Sequence, residues 1–210
     1  MSLTFGFERF ARVVDDAPNL LIAYRDDSGA DYLDFEPTTP ADVLVPEDLA
    51  VTILINSRVG PSAFQAVQHR GHELDFASLP AVPLEESSDA DRDHVAAIIA
   101  QMAEWPGFAA SVATKVLHKK RPATVPILDN QAIFGAYMNP HWPYRRSSTD
   151  SVYSQSRIRE ALQWIWTDLT SPVNRDAWAE LEQLEPTRTR IELFDMVWWM
   201  YFRQLEPVAS

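Results

Sequence analysis

Prolines cut this chain into helix-length pieces, and that punctuation limits what it can fold into. Fifteen of its 210 residues are proline, a residue that lacks an amide donor and clashes with the preceding turn, so helices stop before it or start with it. Breaks fall at Gly60-Pro61, Pro106-Gly107, Arg121-Pro122, Asn139-Pro140 and Ser171-Pro172. Between them apolar residues recur at helical spacing. One helix is expected from Asp48 through Leu49, Ile53 and Val59 to Gly60, and a second over Ser62 to His69. An irregular connection, His72 to Ser88, leads to a helix capped by Ser87 or Ser88 with Asp89 and Asp91, carrying Val95, Ile98, Ile99 and Met102. Phe108 to Lys119 continues as a helix, and another opens at Asp129 or Asn130 and holds Ile133, Phe134 and Tyr137. The C-terminal third predicts helices over Ser154 to Leu169, from Ser171-Pro172 through Trp178 and Leu181, and from Thr189-Arg190-Ile191-Glu192 onward. That last tetrad is a capping-box pattern, in which hydroxyl and carboxylate each satisfy a free amide.

Near the N-terminus, Leu20 to Tyr24 and Tyr32 to Phe35 are apolar runs separated by Asp26-Asp27-Ser28-Gly29, which reads as a small β-hairpin. The expected fold is therefore mainly α, a helical bundle with a small N-terminal β-hairpin. Residues 1–210 read as a single helical domain, with 1–45 as a β and loop embellishment and 46–210 as the helical body.

The chain has no cysteine, which excludes disulfides, thiolate nucleophiles and cysteine-based zinc sites. No apolar leader and no membrane-length apolar run stand in it, so the expectation is a cytoplasmic protein with no membrane partner. His69 and His72 flank Gly71 with no third ligand nearby, and neither a metal nor a cofactor is expected. The net charge of −12 opposes binding to a phosphate backbone. That sum conceals a segregation: between Ser111 and Arg146, Lys115, Lys119, Lys120, Arg121, Arg145 and Arg146 face the single acid Asp129, a local +5 that leaves −17 for the remainder. A basic surface on an acidic body, or a solvated helix end and loop, both fit this pattern.

Two further features bear on chemistry. His141, Trp142, Tyr144, Arg145 and Arg146 share one loop and offer stacking faces with phosphate ligands; the same loop reads equally as packing on the core. In the final helix Ile191, Phe194, Asp195, Trp198, Tyr201 and Phe202 form one stripe, so an acid lies in an apolar face. Such a carboxylate is expected to be paired with a neighbouring arginine or helix end, or to line a pocket. Trp164, Trp166, Trp178, Trp198 and Trp199 read mostly as core and not as a cofactor box.

The stretch Trp105-Pro106-Gly107, Ala113-Thr114-Lys115-Val116-Leu117-His118, Arg121-Pro122 and Val125-Pro126-Ile127-Leu128-Asp129-Asn130 resembles an uncharacterised bacterial family of unknown function. Pro46 to Thr52 and Phe194 to Met200 extend the resemblance over most of the chain. More locally, Pro106-Gly107, Thr114-Lys115 and Val125-Pro126 followed by Asp129 are similar, in order and kind, to the helix-hairpin-helix DNA glycosylases, although Phe108 to Ala113 separates the Pro-Gly from the Thr-Lys. That resemblance implies excision of a modified or damaged base from DNA, with DNA as partner. It makes Asp129 the carboxylate that stabilises an oxocarbenium-like sugar and Lys115 an amine able to form a Schiff base. His118, His141, Trp142, Tyr144, Arg145 and Arg146 would contact the substrate, and Lys119, Lys120 and Arg121 the phosphates. Against this stands a plain role for Asp129 as a helix cap, and a non-catalytic helical module that binds a protein or a phosphorylated ligand.

Overall fold

The computed structural model describes residues 2–6, 9–27, 29–55, 57, 59–139 and 154–205. Two short antiparallel strands, β1 (Leu3–Phe5) and β2 (Arg12–Val14), pair with Leu3 opposite Val14. Helices α1 (Ala17–Tyr24), α2 (Gly29–Asp34), α3 (Val51–Leu54) and α4 (Pro61–Arg70) follow, with a 3-10 turn at Pro46–Ala50 leading into α3. The body continues with α5 (Asp89–Ala103), α6 (Ala110–Lys120), a π-helix (Ala132–Tyr137), α7 (Gln155–Thr170), α8 (Arg175–Leu184) and α9 (Arg190–Leu205). The chain is thus mainly α with a small N-terminal hairpin. No helix among the described residues is long and apolar enough to cross a membrane.

The hairpin uses other residues than expected. Leu20 to Tyr24 lies in α1 and Tyr32 to Asp34 in α2. The reason is legible in hindsight: Ala17, Leu20, Leu21 and Tyr24 are buried at helical intervals, and Pro18 sits in the first turn, where its fixed backbone angle suits a helix. Asp16, with φ of 60°, turns the chain from β2 into α1. Leu3 and Phe5 are fully buried, so the hairpin forms part of the core. Phe5 meets Phe194 and Trp198 of α9 edge-on, each at 5.5 Å between ring centres. Tyr137 of the π-helix meets Trp198 at 5.1 Å.

α5 lies against α6 and α7, and α9 against α1, α8 and the π-helix. α6 is buried on nearly every side, as befits a central helix. Gly107, in the turn between α5 and α6, has φ of +83°, and a Cβ there would stand 2.6 Å from the Ser62 hydroxyl and 2.8 Å from the Ala63 amide of α4. The Pro106-Gly107 turn is therefore packed on the start of α4. The helix expected to run from Asp48 to Val59 is shorter, with α3 ending at Leu54 and Ile53 72% exposed.

Capping follows the sequence closely. Ser88 accepts from the Asp91 amide at 3.2 Å while Asp91 accepts from the Ser88 amide at 2.8 Å, and Thr189 with Glu192 forms the same reciprocal pair at the start of α9. Ser88→Ala should lower stability by about 1 kcal/mol, read as a shift in urea midpoint at unchanged m-value.

Candidate functional site

The site is built from three segments that one loop ties together. Residues 121–131 leave the C-terminus of α6 and run between α6 and α9. The Val125 carbonyl accepts from His118 Nδ1 at 2.7 Å, the Ile127 amide donates to Asp195 Oδ2 at 3.3 Å, and the Leu128 amide donates to Thr114 Oγ1 at 3.0 Å. Two residues of α6 and one of α9 thus fix the strand-like stretch that delivers Asp129. Beyond it the chain enters the π-helix, with the Ala136 amide bonding back to the Gln131 carbonyl and the Met138 amide to that of Ile133. π-Segments are rare and frequently mark functional sites. The Trp198 indole donates to the Ala132 carbonyl at 2.9 Å, locking α9 to this element.

Between these elements lies a pocket with a cavity volume of about 160 Å³. Lys115 of α6, Asp129 and Ile127 of the loop, Ala132 and Ile133 of the π-helix, and Asp195, Trp198 and Trp199 of α9 line it. Tyr24, Asp27, Gly29 and Ile55 complete the wall. The two residues singled out as catalytic, Lys115 and Asp129, therefore meet at one cavity.

Asp129 has a structural duty there. Its Oδ1 accepts from the Gln131 amide at 2.7 Å and the Ala132 amide at 3.0 Å, capping the π-helix, while Oδ2 has no hydrogen-bond partner among the described residues. Lys115 Nζ donates to Ser57 Oγ at 2.5 Å. Burial lowers its pKa, which the negative charge of Asp129 partly opposes; a lowered pKa makes the free amine more available as a nucleophile. Burial drives the Asp195 carboxyl the other way, well above the usual carboxylate range, with the Ile127 amide opposing and Glu192 adding to the rise. For Asp195 the sequence predicts a salt bridge or hydrogen bond to a neighbouring arginine or helix end, or a place in a pocket; it lines the pocket, and it accepts a hydrogen bond from a loop backbone amide. Asp27 is held by Arg203 and by the Gly29 amide, and burial keeps the Tyr24 hydroxyl protonated.

The other expected contacts are placed elsewhere. His118 is fully buried, stacked on Tyr32 with ring centres 6.0 Å apart. A carbonyl can only accept, so Nδ1 carries the proton in its bond to Val125, and burial pulls the imidazole pKa down to about 4. His118 positions the loop and does not line the pocket. Lys120 is buried in an ion pair with Asp48 at 2.7 Å, and Lys119 donates to the Leu33 carbonyl at 2.9 Å, its pKa lowered to about 8 mainly by burial. Arg121 donates to the carbonyls of Ala41 at 2.9 Å and Lys120 at 2.8 Å. All three cations are thus engaged by the chain's own backbone and acids. Lysines and arginines at a helix C-terminus carry this second use, as ligands for carbonyls, in any sequence. His141, Trp142, Tyr144, Arg145 and Arg146 lie outside the described residues. Among those described, no cluster of three or more histidines and acids could hold a metal ion.

No curated protein and no solved structure matches the chain. Residues 17–202 match the model of the Family of unknown function (DUF6308), and the chain belongs to that family.

Proposed function

We propose that the protein cleaves the N-glycosidic bond of a modified or damaged base in DNA, with the pocket between α6, the π-helix and α9 as its active site. The observation that carries this reading is the convergence of Lys115 and Asp129 on one cavity walled by Trp198 and Trp199. A void of about 150 Å³ is known to accept a benzene ring, so this one suits a single flat ring drawn out of the base stack. As the base departs with the bonding electron pair, positive charge grows on the sugar. Oδ2 of Asp129, without a hydrogen-bond partner among the described residues, opposes that charge, and a water beside it adds to the sugar carbon, its proton going to the departed base. In the alternative course the Lys115 amine attacks that carbon, the base leaves and takes up a proton, and opening of the sugar ring gives a Schiff base.

A second reading is favoured by the cap on Asp129. A carboxylate already accepting two amides is a structural group in many helices, and the same pocket would then serve a non-catalytic module that binds a protein or a phosphorylated ligand.

Duplexes and single strands carrying a panel of damaged bases distinguish the two. The glycosidic reading expects release of one class of base. If Lys115 is the nucleophile, borohydride traps the protein covalently on DNA and Lys115→Gln abolishes the trapped species. Base release without trapping indicates water as the nucleophile. No release from any substrate overturns the glycosidic reading and leaves the module.

A further inference from the structure

The pocket contains a second carboxyl, for which the cleavage step has no use. Asp195 lies one turn before Trp198 and Trp199 on α9, and all three line the cavity. The Ile127 amide donates to its Oδ2 at 3.3 Å, and no cation pairs with it among the described residues. The groups around it are of mixed sign. Lys115 and Asp129 face the same cavity from α6 and the loop, Asp27 and Tyr24 from the N-terminal segment, and Glu192 stands one turn earlier on α9. Lys115 is engaged by Ser57 and Asp27 by Arg203, so neither cation is directed to Asp195. Burial raises the pKa of this carboxyl well above the usual carboxylate range, the Ile127 amide opposing and the charge of Glu192 adding to the rise, and this favours the acid form.

An ionised carboxylate only accepts hydrogen bonds and so favours edges with two donors, such as an amidinium. A carboxylic acid presents one O–H donor beside one carbonyl acceptor. The carbonyl that takes the Ile127 amide keeps a second lone pair. Trp198 and Trp199 add apolar faces suited to a flat ring.

We propose that Asp195 selects the occupant of this pocket, setting its O–H and carbonyl against the amide edge of a flat, uncharged ring, an N–H beside a C=O. It deepens the glycosidic reading, on which it rests for the identity of the pocket, by naming the class of base taken: one with an amide edge. A ring that cannot donate leaves the second lone pair of that carbonyl unused, and a ring with two donors meets the acid's own O–H.

Binding of small rings to the full chain tests this, followed by quenching of indole fluorescence. The probes are pyridone, with N–H beside the ring carbonyl, N-methylpyridone, which lacks the donor, and benzamidine, a two-donor cation. Pyridone should bind with at least about tenfold preference over N-methylpyridone. Asp195→Asn, whose carboxamide presents the same donor and acceptor, should retain that preference, whereas Asp195→Leu should weaken pyridone about tenfold or more. As pH rises through the Asp195 pKa the acid ionises and loses its donor, so wild-type affinity falls while that of the Asp195→Asn variant does not follow. Should Asp195→Leu fail to fold, the N-methyl contrast and the pH profiles of the other two proteins still decide. No saturable pyridone binding, tighter benzamidine binding, or unchanged affinity in a folded Asp195→Leu variant overturns the proposal. Selective pyridone binding without base release removes the glycosidic reading alone, and base release indifferent to Asp195 removes this inference alone.

Discussion

Asp129→Asn is expected to lower base release by about 10²- to 10³-fold, the scale seen when one preorganised electrostatic group is taken from a transition state. The substitution is informative because it separates two duties of one side chain. The cap on the π-helix uses Oδ1, which accepts from Gln131 and Ala132. The asparagine carbonyl can accept the same two amides, and asparagine caps helices about as well as aspartate. What is lost is the negative charge facing Lys115 and the cavity. Single-turnover excision on a lesion-bearing duplex should therefore fall steeply while the thermal midpoint stays near wild type. Removing the charge also removes the influence that raises the Lys115 pKa, so any trapping through Lys115 should reach its maximum at lower pH in the variant. A folded variant that releases base at the wild-type rate would assign Asp129 to capping alone. A large loss of stability would instead mean that the charge of the carboxylate holds the fold.

How far the site could be read beforehand depends on the range of the signal. Asp129 and Lys115 were legible because both belong to a local pattern, a Thr-Lys pair in a helix and an aspartate after a Val-Pro loop. The capping boxes at Ser88 and Thr189 and most helix positions were legible for the same reason, since caps and breaks are local chemistry. Tyr24, Asp27 and Ile55 reach the same cavity from distant segments, and no spacing in the sequence announces that. Asp195 announced itself only as an acid in an apolar stripe, a pattern shared by buried ion pairs and pocket carboxyls; the choice depended on whether a cation or a backbone amide met it. The hairpin was misplaced because Leu20 to Tyr24 satisfies both periods over so short a run, and Pro18 was the deciding residue.

The basic run after Lys115 has structural work in this fold, and the largest expected effect on stability comes from it. Lys120 and Asp48 are both 2% exposed at the side chain and stand 2.7 Å apart. Lys120 Nζ also donates to Thr39 Oγ1 at 2.9 Å and the Pro40 carbonyl at 2.7 Å. Asp48 accepts from the Val45 amide at 2.8 Å and from the Thr39 hydroxyl. Every partner belongs to the 39–48 segment or to the end of α6, so the pair fastens the N-terminal part of the chain to the central helix that carries Lys115. Ions out of water require such complete coordination, and removing one strands the other. Asp48→Ala should cost about 3 to 5 kcal/mol, a large share of the roughly 5 to 15 kcal/mol that holds a domain together. Lys120→Met should cost a similar amount, because each stranded ion keeps two neutral partners, the Val45 amide and Thr39 hydroxyl for the carboxylate and the Thr39 hydroxyl and Pro40 carbonyl for the ammonium. Combining Asp48→Leu with Lys120→Met should recover most of the loss, since an apolar pair of similar volume leaves no buried charge. Urea midpoints of the four proteins measure this directly. If Asp48→Ala costs less than about 1 kcal/mol, the value of an exposed pair, water reaches Lys120 in solution and its ammonium becomes available again as a phosphate ligand.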